Sequence, residues 1–192
     1  KEEINAAVNV LKKNSLTLID GPNVKKLETK ISKLFGKKYG LMVNSGSSAN
    51  LLALDSLDLK KGSEIITPTL TFSTTISPIY QLGFIPHFID VGKDNFVANT
   101  DQIIKCINKK TAAIMIPNLL GNIADWKKIY NIAKKYRLKV IEDSADTIGY
   151  KYKGRNLSGK YSDIVTNSMY ASHIITGAGF GGIVCFNDFK NY

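Results

Sequence analysis

Apolar positions along this chain follow two rhythms. Between residues 3 and 11 they fall at Ile4, Ala7, Val8 and Leu11, the spacing of one helix face. Residues 16–19 read as a short extended connector. Gly21-Pro22-Asn23 then opens a second helix, with Val24, Leu27, Ile31, Leu34 and Phe35 on one side and Gly36 as its stop. Beyond it the pattern shortens to strand-length apolar runs at 39–43, 65–67, 87–91, 112–116, 139–141, 163–167 and 182–186. Helical segments at 49–57, 74–82, 101–107 and 125–136 lie between most of them. Strands alternating with helices predict a three-layer α/β/α sandwich around a mainly parallel seven-stranded sheet. No repeat, linker or low-complexity tract interrupts residues 1–192, which read as one domain; the start without Met reads as mid-domain, so a fragment is expected.

Composition narrows the class. A chain of 192 residues with 44% apolar and 22% charged side chains can build a full core and matches ordinary globular proteins. No run of 18 apolar residues exists, so no membrane span is predicted, and KEEINAAVNVLKK at the start is an amphipathic helix rather than a signal peptide. Cys106 and Cys185 sit in apolar settings without CxxC or HxxxH spacing. They read as buried thiols of a cytoplasmic protein and not as metal ligands. The net charge of +10 comes from lysines spread over helices, such as Lys25, Lys26, Lys30 and Lys33. That spread fits solvated helix faces rather than a nucleic-acid surface, while a basic field favours anionic small substrates such as nucleotide diphosphates.

Candidate chemistry gathers where the apolar runs end. Asn44-Ser45-Gly46-Ser47-Ser48 comes directly after the first run and opens a helix. Glycine lets the backbone approach an anion, and helix N-terminal amides with serine hydroxyls can hold a phosphate. A plain serine helix cap would look the same. Phe72 comes after the second run; it is either core or a cover for a flat ring. The run at 139–141 leads into the acidic pair Glu142–Asp143, and Asp143 stands at the strand's end. It either caps the residues after it or supplies the carboxylate that a pyridoxal cofactor needs at its pyridine nitrogen. Ser168 ends the next run, His173 comes five residues later, and a glycine-rich turn occupies 177–182.

Four motifs in order, GSSAN, TPTLTF, EDSAD and SMYASH, resemble the DegT/DnrJ/StrS nucleotide-sugar aminotransferases, a group of fold-type-I pyridoxal-phosphate enzymes. The resemblance spans essentially the whole chain. It implies that Gly46, Ser47 and Ser168 hold the cofactor phosphate, that Phe72 stacks on the ring and that Asp143 pairs with the pyridine nitrogen. Asp146 stands where the family usually has Gln or His near the ring oxygen. The resemblance also implies a large domain whose small C-terminal companion lies outside this chain, a homodimer, a nucleotide-sugar substrate and a reductase partner.

One departure redirects the expected activity. The family's aminotransferases carry their cofactor-binding lysine five residues after the phosphate serine; that position here is His173, and Lys160 and Lys190 are too distant along the chain to replace it. Imidazole cannot make the lysine's covalent link, so the cofactor is expected as non-covalently held pyridoxamine phosphate. Histidine at this position resembles the branch of 3-dehydratases acting on nucleotide-linked 4-keto-6-deoxy sugars, and His173-Ile174-Ile175-Thr176 resembles it too. Such an enzyme needs a base and then an acid for the departing 3-hydroxyl. An imidazole, with an ordinary pKa of about 6.5, serves better near neutrality than an amine of about 10.4. A structural histidine, an aminotransferase that has lost its lysine and a non-catalytic paralogue are the alternatives. Two cysteines do not make an iron–sulfur site, so no cluster is assigned.

Overall fold

The computed structural model describes residues 1–13 and 20–188. The connector expected at 16–19 lies outside them. Helix α1 (Glu2–Lys13) buries none of its side chains, and Ile4 and Leu11 on its apolar stripe are 68% and 59% exposed. Helix α2 (Pro22–Leu34) starts with proline in its first turn, where a missing N–H costs nothing. It stops at Gly36, whose φ of 63° is the left-handed conformation that glycine adopts without strain.

All seven apolar runs become strands of one sheet. They are β1 (Tyr39–Val43), β2 (Glu64–Pro68), β3 (Ile85–Ile89), β4 (Thr111–Pro117), β5 (Lys139–Asp143), β8 (Ile164–Ser168) and β9 (Gly182–Phe186), in the order β1-β9-β8-β5-β4-β2-β3. Every neighbouring pair is parallel except those that β9 makes with β1 and β8. The run expected at 87–91 is paired two residues earlier, because Val91 leaves the sheet and bridges Ala98. A two-stranded hairpin, β6 (Lys151–Tyr152) with β7 (Arg155–Asn156), lies between β5 and β8.

Period-two alternation splits the apolar runs between two faces. Ile65, Ala113, Met115, Ile141 and Val184 pack with Ala49, Ala53 and Leu54 of α3 (Gly46–Asp55) and Ile79 of α4 (Ser73–Gln81). Ile66, Ile114, Ile116 and Val140 point the other way, onto Ile103 of α5 (Thr100–Cys106) and Trp126, Ile129 and Ile132 of α6 (Trp126–Tyr136). On that side Val165, Ile183 and Cys185 meet Ile31 and Phe35. Burial pushes the Cys185 thiol up to about 12, as expected of an inert core thiol. Helices thus cover both faces of a mainly parallel sheet. Ligands of such sheets bind outside the carboxyl ends of the strands. No described helix is long and apolar enough to cross a membrane.

Candidate active site

A cavity of about 790 Å³ opens beyond the C-terminal ends of β1, β4, β5 and β8. Gly46, Ser47, Phe72, Asp143, Asp146, Ser168 and His173 all line it. The seven residues singled out in the sequence therefore share one space, although they come from four segments of the chain. Among the described residues, no lysine or arginine lines it.

The first turn of α3 forms one wall. Ser45 caps the helix, its Oγ accepting the N–H of Ser48 at 3.1 Å. Gly46 and Ser47 come next, so the segment is both a serine cap and a cavity wall. A side chain at Gly46 would place Cβ 2.6 Å from Cβ of Ser168. Only glycine lets α3 lie this close to the end of β8. Gly182 faces the same constraint, because a Cβ there would run into the Ser45 carbonyl.

Asp143 forms the floor, and its carboxylate is held by groups on two helices. Its Oδ2 accepts Asn50 Nδ2–H at 2.9 Å and the Thr75 hydroxyl at 2.8 Å; its Oδ1 accepts Ala145 N–H at 3.2 Å. Burial nevertheless pushes its pKa up, as desolvation outweighs these donors. Sequence reasoning missed Asn50 and Thr75. Asn50 carried a signal, a polar residue between Ala49 and Ala53 on the inward side of its helix; Thr75 carried none, because its helix starts with three hydroxyl residues.

Beneath the floor lies a second buried acid. Glu142 accepts the Ser144 hydroxyl at 2.8 Å, Asn118 Nδ2–H at 3.2 Å and Gly159 N–H at 3.2 Å. Burial still raises its pKa to about 7, against the pull of those donors and of Lys37, whose own pKa is lowered by burial. Asn118 also takes the Trp126 indole N–H at 2.8 Å on its Oδ1, joining α6 to the strand that carries Asp143.

His173 sits on a loop, residues 170–180, whose base is closed by Met169 N–H to Gly181 O at 2.8 Å and Gly177 N–H to Met169 O at 2.9 Å. Its Nε2 is 3.7 Å from Oδ1 of Asp146, and its Nδ1 is shut off from solvent with no hydrogen-bond partner. Asp146 accepts Leu120 N–H at 2.8 Å on its other oxygen. Around the mouth, Phe72, Leu120, Tyr170 and Phe180 are 70%, 72%, 51% and 72% exposed. Among the described residues, no group of three or more His, Cys, Asp or Glu could hold a metal ion.

A sequence profile described as the DegT/DnrJ/EryC1/StrS aminotransferase family matches residues 1–191. The chain belongs to that family. Among DegT/DnrJ/EryC1/StrS relatives it is 40% identical over 177 residues to the dTDP-4-dehydro-2,6-dideoxy-D-glucose 3-dehydratase of Saccharopolyspora spinosa, an alignment covering 88% of this chain and 38% of that protein. It superposes on the GDP-4-keto-6-deoxy-D-mannose-3-dehydratase of E. coli with bound hydrated PLP at a TM-score of 0.90 and 33% identity, over 99% of this chain and 49% of that one. It superposes equally well on an aminotransferase from Psychrobacter cryohalolentis, with a TM-score of 0.91 and 31% identity over 100% of this chain and 48% of that one. The chain thus spans half or less of the length of these relatives, and the family contains both dehydratases and aminotransferases.

Proposed function

We propose that these residues form the cofactor-binding domain of a pyridoxamine-phosphate-dependent 3-dehydratase of a nucleotide-linked 4-keto-6-deoxy sugar, serving deoxysugar and surface-polysaccharide biosynthesis. One observation carries the choice: a histidine lines the cavity five residues after Ser168, and among the described residues no lysine lines it. The similarity to two 3-dehydratases supports it.

The residues present fit the cofactor. The amides at the start of α3, with the Ser47 and Ser168 hydroxyls, offer an anion cradle without a cationic side chain. Asp143 Oδ1 accepts one N–H from Ala145 and keeps capacity for a second donor, the protonated pyridine nitrogen. Phe72 is exposed at the mouth, available to cover a ring. When bound, pyridoxamine phosphate supplies an amine for the sugar ketone and a ring that draws off electrons. Asp143 keeps the ring nitrogen protonated. His173 holds and moves the proton that the reaction takes from carbon and returns to the departing 3-hydroxyl. The exposed apolar rim supports a homodimer that closes the mouth. The same reading makes the protein cytoplasmic, with a reductase partner to process the product.

The second reading is a sugar aminotransferase, favoured by the similarity to the Psychrobacter enzyme. Cofactor attachment separates the two. The complete protein should bind pyridoxamine phosphate, release pyridoxal phosphate on dialysis and yield no covalent adduct after borohydride. His173→Lys should gain that adduct, read by mass spectrometry, and His173→Asn should lose dehydration. A wild-type adduct at any lysine defeats the dehydratase reading. So does a folded, cofactor-binding His173→Lys protein without one, because position 173 then does not face the reacting carbon. A protein that binds neither cofactor form is the non-catalytic paralogue.

A further inference from the structure

We infer that Asp146 is the positioning residue of His173, holding the imidazole proton on Nε2. The inference rests on His173 being the proton-transfer group of the proposed function. It gives Asp146 a partner other than the cofactor ring.

Asp146 is fixed at one end and directed at the other. Its Oδ2 accepts Leu120 N–H at 2.8 Å, and Leu120 stands at φ 55° in the turn after β4 (Leu119–Gly121). Its Oδ1 then faces Nε2 of His173 at 3.7 Å. That separation is an ion-pair distance rather than a hydrogen bond, and contacts of this kind tighten when a ligand arrives. The His173 backbone N–H donates to Tyr170 O at 2.9 Å, and the Tyr170 ring meets the imidazole edge-on with 6.0 Å between centroids. The ring is thus set by a carboxylate, an aromatic neighbour and its own backbone.

The two ring nitrogens are not equivalent. Nδ1 is sealed from solvent and has no hydrogen-bond partner. A proton there would be a buried donor with nothing to receive it, whereas a proton on Nε2 faces a carboxylate. Both facts select the Nε2–H form of the neutral ring. With its proton on Nε2, the neutral ring keeps its free lone pair on Nδ1, the nitrogen that can take a proton. The imidazolium formed by that step returns a proton to the leaving hydroxyl, and Asp146 stays ionised beside it, orienting the ring and stabilising its positive charge.

The sharpest perturbation is Asp146→Asn. Leu120 N–H needs an acceptor, so the amide oxygen keeps the Oδ2 position and the amide NH₂ turns toward His173. Nε2 must then accept, and the ring proton is driven to Nδ1. The complete protein, labelled with ¹⁵N-histidine, reads this directly, with His173→Asn identifying the signal. Wild type should show Nε2–H, and Asp146→Asn should move the proton to Nδ1. Dehydration kcat should fall at least ~10-fold while KM and the Kd for pyridoxamine phosphate stay within about threefold. Nδ1–H in the wild type overturns the assignment by itself, even if the variant does not fold. An unchanged tautomer in Asp146→Asn overturns it too. A rise in the pyridoxamine-phosphate Kd as large as the fall in kcat makes Asp146 a cofactor ligand instead. If His173→Asn keeps full dehydration, the proposed function falls whatever the tautomer. If it loses dehydration and the wild type is Nδ1–H, only the role of Asp146 falls.

Discussion

Asp143→Asn separates chemistry from architecture at the floor of the site, because the neighbours dictate how the amide must lie. Thr75 receives the Thr71 hydroxyl at 2.9 Å and gives its own proton to Asp143 Oδ2. Asn50 is turned by the Thr166 hydroxyl, which donates to its Oδ1 at 2.6 Å, so its NH₂ also points at Oδ2. Two donors therefore fix the oxygen of the new amide at the Oδ2 position, and its NH₂ replaces Oδ1. There it meets Ala145 N–H, donor against donor, at the cost of one hydrogen bond of about 1 kcal/mol. Against this, the variant no longer buries a carboxylate that its surroundings resist ionising. The two effects oppose, so cofactor-free stability should change by no more than about 1 kcal/mol, or about 4 °C in Tm for a chain of this size. On the proposed function, catalysis has no such offset. An amide NH₂ cannot keep a pyridine nitrogen protonated, and turnover should fall at least ~100-fold, about 2.7 kcal/mol of barrier. Calorimetry, an absorbance titration with pyridoxamine phosphate and dehydration kinetics give the three numbers. Equal losses in cofactor affinity and turnover, or a Tm drop beyond about 10 °C, would show that Asp143 holds α3 and α4 to β5 and does no electronic work.

The same geometry yields two further outcomes. Gly46→Ala puts a methyl 2.6 Å from Ser168 Cβ and must prise α3 from β8; overpacking of this kind costs about 1–3 kcal/mol. Pyridoxamine phosphate should then bind roughly tenfold more weakly or worse by titration, and unchanged affinity would remove Gly46 from the cradle. Glu142, raised by burial to about 7 from 4.5, binds its proton more tightly folded than unfolded. The stability this confers is fully present below pH 4.5 and lost as pH rises through 7, a total of about 3 kcal/mol. Asp143, raised for the same reason, adds to that slope. Urea midpoints from pH 4.5 to 8 should fall, and Glu142→Gln should flatten the curve; a flat wild-type profile would show that the donors around Glu142 match its burial.

The strands were legible because each is a short apolar run whose neighbouring residues serve opposite faces, as Ile65 and Ile66 do. Their order was not, since it depends on contacts between runs far apart in the chain; nothing local marks β9 as the strand that runs against its neighbours. The β6–β7 hairpin escaped notice because its strands have two residues each and no apolar run. In the site, Asp143, Ser168 and His173 were visible because they sit at or just beyond strand ends. Asn50, Thr75 and Asn118 were not, because a polar residue in a helix or turn reads as surface until its buried partner is known.

The closure of residues 170–180 by Met169 and Gly181 bears on how this site can diverge. A loop whose two ends are already joined by β8 and β9 gains length cheaply: doubling it adds only about 0.6 kcal/mol of closure entropy. Insertions between Tyr170 and Phe180 would leave the α3 cradle and the Asp143 floor untouched while moving the imidazole and the two exposed rings over the mouth. On the proposed function, retention of the cofactor and the choice of proton-transfer group are thus separable traits of this scaffold. A single short segment can be redrawn for a new reaction while the sheet beneath it stays the same.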